Sequence, residues 1–265
     1  MRYLVFICLS LCIITITGCS SKVEPVKKET VFIKKQSTLE LEETDFLDEF
    51  ENELKVDVKS DPLSGYNRIM TNFNDKMFTY VLSPVSTGYR TVVHEKIRSS
   101  VDNFFHNILY PIRLVNNLLQ GKFVNSVDET SRFLINSTFG VFGLFDPAKR
   151  NFGLKAHNED FGQTLGFYGV AAGPHIVLPF FGPSNLRDTF SMYPDSFINP
   201  ITYTDDTGYN LTNSDKESLL LKGYERINFI SQHESEYEKM KKDAVDLYPF
   251  LRDIYEQDRE QQIKE

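Results

Sequence analysis

The apolar run Ile176–Phe181 is the feature that most limits how this chain can fold. It is far shorter than the roughly 20 residues that a membrane-spanning helix needs. Pro179 inside the run and Pro183 just after it also rule out one continuous α-helix. Large apolar side chains among turns must either fill a core or face lipid, because soluble proteins rarely expose a large contiguous apolar patch.

The surrounding segment shares this character over a longer stretch. Eight of the 14 glycines lie from Gly140 to Gly182, mixed with phenylalanine, valine and leucine at no clean period of two or 3.6. Glycine lets backbones approach closely and adopt positive φ. This segment therefore predicts tight turns that carry apolar side chains, and not a regular amphipathic helix.

The stretches before it predict helices. Apolar residues recur at three-to-four spacing from Leu63 to about residue 81, with Asp61 as N-cap, Pro62 at the first position, and Pro84 ending or kinking the helix. A second helix is expected over 96–119, bent at Pro111 and closed by Gly121, and a third over about 123–136. Ordinary core packing explains any one of these helices taken alone.

The end of the chain also predicts helix. Ser214 and Glu217 form a capping box, and the stripe that follows, which includes Leu219 and Leu220, is expected to be buried. A last charged segment is interrupted at Pro249. The predicted fold class is therefore all-α.

Residues 1–18 have the pattern of a lipoprotein signal peptide. Arg2 precedes an apolar segment that ends near Ile16, and Ile16-Thr17-Gly18-Cys19 loosely matches a bacterial lipobox. Cleavage would leave Cys19 lipidated, and Ser20 after it favours the outer membrane. Residues 19–60 then form a charged tether. The alternative is an uncleaved anchor helix, for which the segment is short.

Composition and motifs exclude several functions. The formal charge of −8 argues against nucleic acid as a partner. With Cys8 and Cys12 removed and Cys19 lipidated, no thiol remains for a disulfide, a zinc site or a nucleophile. No nucleotide-binding or zinc-protease motif is present. We expect no catalytic residue, no metal and no cofactor.

Two polar features of the sequence suggest chemical sites. His157, Glu159 and Asp160 lie close together but are more simply interpreted as a polar turn, and Ser184 lacks the second glycine of the hydrolase motif. A third cluster, Asn185, Arg187 and Asp188, leaves two interpretations open: contact with a phospholipid headgroup, for which arginine is suited, or a structural salt bridge.

Five collinear stretches between Asp61 and Gln262 resemble successive signatures of the MlaA (VacJ) lipoprotein family. They read DPLSGYNRIMTNFND, NFFHNILYPIRLVNNLLQGKF, RFLINSTFGVFGLFDPA, HNEDFGQTLGFYGVAAGPHIVLPFFGPSNLRD and LYPFLRDIYEQDREQQ. The resemblance implies one helical domain over residues 61–262. In this family amphipathic helices form a ring around a central polar channel, lying in one leaflet of the membrane.

The resemblance also implies a function. The chain would be lipid-anchored in the inner leaflet of the outer membrane, on its periplasmic face. It would pass mislocalised phospholipids from the outer leaflet to a soluble MlaC-like periplasmic carrier, beside a trimeric porin, and would make no covalent bond. The alternatives are a structural porin-associated lipoprotein without transport activity and a lipid hydrolase.

Site residues follow from the same resemblance. The motif Asn72, Phe73 and Asn74 is implicated in gating the channel, and Gly140–Asp146 leads into a hairpin beside it. Gly162–Pro183 resembles the part of the ring that dips into the leaflet. Its leaflet-facing residues are expected to be Ile176, Val177, Leu178, Phe180 and Phe181.

Overall fold

The first helix, α1 (Ser64–Met77), continues through a π-helical turn (Phe78–Leu82) into α2 (Ser83–Val92). Pro84 lies in the first turn of α2 and does not end the helix. The wider π-turn before it relieves the clash that proline makes with the preceding carbonyls. The predicted N-cap was wrong: Leu63 holds that position, and Asp61 instead accepts hydrogen bonds from Tyr248 and Asn67.

The structure is a computed structural model that describes residues 61–203 and 210–265. All of them belong to one compact unit, Lys59–Glu265. The predicted signal peptide, Cys19 and all of the tether lie outside the described residues.

The second predicted helix is divided in two. Helix α3 (Glu95–Ile108) ends at Leu109, and α4 (Tyr110–Leu119) begins just before Pro111, which is the break that a proline imposes. Gly121 follows with a φ of 73°, as expected for a helix C-terminus. Helix α5 (Phe123–Thr138) matches the third prediction within two residues.

The remaining elements complete a mostly helical fold, which confirms the predicted class. In chain order they are α6 (Pro147–Phe152), α7 (Phe161–Phe167), β1 (His175–Leu178), β2 (Gly182–Asn185), α8 (Leu186–Ile198), α9 (Asp215–Asp243) and α10 (Leu247–Lys264). The apolar run Ile176–Phe181 forms β1 and the turn of an antiparallel hairpin, with His175 opposite Asn185 and Leu178 opposite Gly182.

Helix α9 runs antiparallel to the continuous rod of α1, the π-turn and α2. Lys241 near its end bonds to Asp75, Glu234 in its middle accepts from Ser83, and Asn228 nearer its start accepts from Tyr89. Ser214 caps α9 by accepting from the backbone N–H of Glu217, as the capping box predicts.

Buried and exposed side chains are distributed in the reverse of the usual pattern. Among the described residues, many more polar than apolar side chains are buried, and the largest fully enclosed ones include Glu129, Asn67, Asn116 and Asn228. Water-soluble proteins bury such groups rarely. Leu219 and Leu220, predicted to be buried, are 73% and 74% exposed, because the inner face of α9 is formed by polar residues such as Asn228 and Ser231.

The outer surface is correspondingly rich in large apolar side chains. Those more than 60% exposed are Ile69, Tyr80, Val92, Phe123, Val124, Val127, Phe139, Phe142, Phe152, Tyr168, Phe180, Phe181, Phe190, Tyr193, Leu219, Leu220 and Val245. Over the described residues, no helix has the length and apolar character required to cross a membrane.

Candidate functional site

The free edge of β1 is held by side-chain amides from α1. The Nδ2 of Asn67 donates to the carbonyl of His175 at 3.0 Å, and its Oδ1 accepts from the N–H of Val177 at 2.8 Å. The amide thus makes the two bonds that a neighbouring strand would make. Asn67 is fully enclosed, so these bonds satisfy buried backbone groups that would otherwise have no partner.

Asn74, two helical turns further along α1, repeats this arrangement at the hairpin turn. Its Nδ2 donates to the carbonyl of Leu178 at 2.9 Å, and its Oδ1 accepts from the N–H of Phe180 at 2.8 Å. The neighbouring Phe73 meets the Phe180 ring edge-on, with 5.3 Å between ring centroids. The side chain of Asn72 is exposed.

Two of the three predicted gating residues therefore contact the turn that carries the predicted leaflet-facing phenylalanines. Phe180 is 62% exposed and Phe181 is 70% exposed. Phe180 has a φ of 68°, which is rare for a bulky residue, so the surrounding contacts must hold the turn in place. Asn74 and Phe73 supply contacts of that kind.

The prediction for Val177 was wrong. Its side chain is only 2% exposed and lies in the core, whereas Ile176 and Leu178 on either side are half-buried. Side chains along a strand alternate between its two faces, so three consecutive residues cannot all face lipid. The apolar run alone does not indicate a strand, because glycine and proline interrupt the sequence on both sides of it.

Asn185, Arg187 and Asp188 are buried, so they are not available for the predicted headgroup contact. Asn185 caps α8 by accepting from the backbone N–H of Asp188. Arg187 donates to the side-chain carboxylate of Asp188 at 3.0 Å. Arg259 of α10 donates to Asp188 at 2.9 Å. The geometry matches the other interpretation, a structural salt bridge, here extended into a network that joins α8 to α10.

This network strongly stabilises the ionised form of Asp188. Burial alone would raise the pKa of this carboxyl, but hydrogen bonds from Arg259, Arg187 and Tyr255 outweigh it and lower the pKa to about 2. Burial, together with the hydrogen bond to Asp188, raises the pKa of Tyr255. Gly162 packs against the network so closely that an added Cβ would lie 2.4 Å from the carboxylate.

A half-open groove of about 410 Å³ lies beside the hairpin. Helix α1 and the π-turn line one side with Asn74, Met77 and Phe78, and the hairpin lines another with Phe180 and Phe181. The third side is one face of α9, contributed by Arg226, Phe229, Ile230, His233, Glu236, Tyr237 and Met240. Its surface is mainly apolar.

The polar residues singled out in the sequence have structural partners. His157 lies 3.3 Å from Asp128, Glu159 accepts from Lys122 at 2.7 Å, and Asp160 caps α7 and pairs with Arg259. The hydroxyl of Ser184 is buried, 3.1 Å from that of Thr189. In residues 61–203 and 210–265, no cluster of three histidine, cysteine or acidic residues could hold a metal ion.

Sequence reasoning missed Asn67 and Arg226. Asn67 precedes Asn74 by seven residues, so the two share one helix face, and a repeated asparagine on that face could have been noticed. Arg226 gave no such signal, because its position beside the hairpin depends on how α9 packs against α1.

The sequence of this chain is similar to those of known proteins. The family model described as MlaA lipoprotein matches residues 59–262. The chain is 38% identical over 152 residues to an uncharacterised protein of Rickettsia typhi, covering 57% of this chain and 60% of the relative. It is 37% identical over 142 residues to the intermembrane phospholipid transport system lipoprotein MlaA of Escherichia coli, covering 52% of this chain and 57% of that protein.

A solved structure shares the fold. It comes from work on the structural basis for maintenance of bacterial outer membrane lipid asymmetry, and it superposes with a TM-score of 0.64 at 29% identity. The match covers 77% of this chain and all of the solved chain. By sequence, this chain spans about 60% of the length of these two curated relatives.

Proposed function

Because the chain belongs to the MlaA lipoprotein family, we propose that it passes mislocalised phospholipids from the outer leaflet of the outer membrane to a soluble periplasmic carrier. The carrier would be MlaC-like, and the transfer would maintain lipid asymmetry. This activity requires a protein that presents apolar surface to acyl chains and a polar interior to headgroups.

The single observation that carries the proposal is the reversed distribution of polar and apolar side chains. An interior rich in polar side chains that include Asn67, Glu129 and Asn228, under a surface with exposed Phe139, Phe180 and Leu220, suits a lipid environment better than water. No described helix could cross a bilayer, so the apolar surface would need only the modest depth of an interfacial protein.

The placement in the membrane is also a proposal. A lipidated Cys19 would anchor the protein in the inner leaflet at the periplasmic face. The helices would form a ring around a polar channel, with a trimeric porin beside it. Asn72, Phe73 and Asn74 would keep the channel closed, and of these Phe73 and Asn74 would hold the hairpin turn, which fits the contacts that they make with Phe180.

Reconstitution tests the transfer itself. The lipoprotein in vesicles with labelled phospholipid should deliver label to purified carrier, and the protein with Asn72 and Phe73 deleted should deliver it faster. In cells that deletion should cause a dominant loss of asymmetry, whereas a null allele should be recessive. A porin-associated scaffold would deliver no label, so absence of transfer with a carrier that is active towards other donors would refute the proposal.

A further inference from the structure

The groove beside the hairpin has the dimensions of a narrow slot along α9. Its lining residues on that helix run from Arg226 to Met240 at three-to-four spacing, so they form one face about 21 Å long at 1.5 Å per residue. The groove encloses about 410 Å³, and a hydrocarbon chain about 4 Å thick at van der Waals contact can lie along this face.

The walls of the slot are mainly apolar where a chain would lie. Met77 and Phe78 on one side face Ile230 and Met240 on the other, and Phe181 of the hairpin closes part of the third side. The hairpin turn also carries the exposed apolar surface, so the slot is continuous with the face proposed to contact acyl chains. A lipid chain could therefore enter without crossing water.

Arg226 gives one end of the slot a positive charge. Its guanidinium lies over the Phe229 ring at 5.7 Å, and it forms no ion pair within 4 Å with another described residue. Desolvation lowers the pKa of Arg226, although attraction from Glu225 opposes this effect. The side chain of Arg226 is exposed, so an anionic group in the slot could accept a hydrogen bond from its guanidinium.

The position of the acidic residue on this face of α9 sets the orientation of a bound lipid. Glu236 also lines the slot, but it lies ten residues from Arg226, or about 15 Å along the helix axis. A phosphate would be favoured near Arg226 and disfavoured near Glu236. The phosphate end of a lipid would therefore lie at Arg226, with the chain running towards Met240.

From this arrangement we propose that the slot between α9, α1 and the hairpin binds one acyl chain of a phospholipid, with Arg226 contacting its phosphate. This inference rests on the proposed function, because it assigns that function a lipid-binding position. Asn74 would then hold one wall of the binding site through its bonds to the hairpin turn.

The absence of tryptophan from the chain makes a direct test possible. Phe229→Trp would place a single fluorophore in the slot, and Phe139→Trp would place one on the outer surface, where Phe139 is 77% exposed. The full-length lipoprotein is purified in detergent and titrated with phosphatidylethanolamine brominated on one acyl chain. Bromine quenches a tryptophan only when the chain is close to it.

Quenching of Phe229→Trp should saturate near one lipid per protein, whereas quenching of Phe139→Trp should rise in proportion to the lipid fraction in the micelle. Adding Arg226→Gln to Phe229→Trp should raise the half-saturating concentration roughly tenfold, as expected for loss of a charge-assisted hydrogen bond. Lys239→Gln, on the same helix but outside the slot, should leave it unchanged. Met240→Trp provides a second probe of the slot if Phe229→Trp unfolds, as judged by circular dichroism.

The outcomes separate this inference from the proposed function. Non-saturating quenching at both slot positions, or an Arg226→Gln variant that behaves like Lys239→Gln, would overturn the binding site. If transfer to the carrier persists in that case, the proposed function stands without the slot. Saturable, Arg226-dependent quenching in a protein that transfers no lipid would retain the binding site and refute transport.

Discussion

The Oδ1 of Asn74 accepts the backbone N–H of Phe180 at 2.8 Å, while its Nδ2 donates to the carbonyl two residues earlier, at Leu178. One side chain thus bridges the hairpin turn where the backbone of Phe180 has a positive φ. Such a conformation costs about 1–3 kcal/mol and persists only when its surroundings enforce it. The relationship links the predicted gating motif to the most exposed part of the hairpin.

Replacing Asn74 should therefore release the turn. Asn74→Ala leaves the carbonyl of Leu178 and the N–H of Phe180 without their side-chain partner, so we expect a loss of about 1–3 kcal/mol in hairpin stability. Amide hydrogen exchange at Phe180 should accelerate by about five- to 150-fold at that cost. Asn72→Ala, on the exposed side of the same helix, is the matched control and should leave exchange unchanged. Equal exchange in the two variants would show that Asn74 does not hold the turn.

The ion network around Asp188 should contribute more to the free energy of unfolding than any other contact between α8 and α10. Asp188→Asn removes the charge that Arg187 and Arg259 share and leaves both guanidinium groups buried without it. Breaking a buried pair in this way costs about 3–5 kcal/mol in the free energy of unfolding. The measurement is urea denaturation in detergent at pH 7.

Asp253→Asn is the control for that experiment. Asp253 also pairs with an arginine, Arg252, but its side chain is 53% exposed. An exposed pair contributes at most about 1 kcal/mol. Equal losses of unfolding free energy in Asp188→Asn and Asp253→Asn would mean that burial does not strengthen the Asp188 network.

Local sequence signals predicted several elements correctly. Pro111 divides α3 from α4, Gly121 follows α4 with positive φ, and Ser214 caps α9. Each of these features depends on the backbone chemistry of one residue, which is the same in any fold. The all-α prediction holds because such local features dominate most of the chain.

Other features could not be predicted in this way. The strand at His175–Leu178 is stabilised by Asn67 and Asn74, more than 100 residues earlier, so nothing local indicates it. The burial of Val177 follows from that strand. The exposure of Leu219 and Leu220 reverses the usual assumption that apolar stripes face inward, an assumption that holds for proteins surrounded by water.

The exposed phenylalanines of the hairpin turn should contribute to membrane binding. In unlipidated protein carrying Cys19→Ser, Phe180→Asp with Phe181→Asp removes apolar groups worth about 1.5–3 kcal/mol each when buried in acyl chains. Partitioning into phospholipid vesicles, measured by co-sedimentation, should fall by at least about a hundredfold. Gln261→Asp, exposed near the chain end, should change it little. Unchanged partitioning of the double variant would show that the turn does not enter the leaflet.

Acid should destabilise the fold through His106. Burial, and then the nearby charge of Arg113, lower the pKa of His106 to about 4, against smaller opposing effects from Asn158 and Glu129. The unfolded side chain titrates near 6.5, so between about pH 6.5 and 4 the unfolded state binds more protons. Stability from this group is therefore present above pH 6.5 and is lost as the pH falls towards 4.

His106→Gln tests this assignment, because glutamine keeps a polar side chain that does not titrate. Urea denaturation from pH 8 to pH 4.5 should show a smaller loss of stability in the variant than in the unchanged protein, by at most about 3 kcal/mol. Above pH 7 the two curves should run parallel, which serves as the internal control. Curves that stay parallel down to pH 4.5 would mean that another group causes the acid sensitivity.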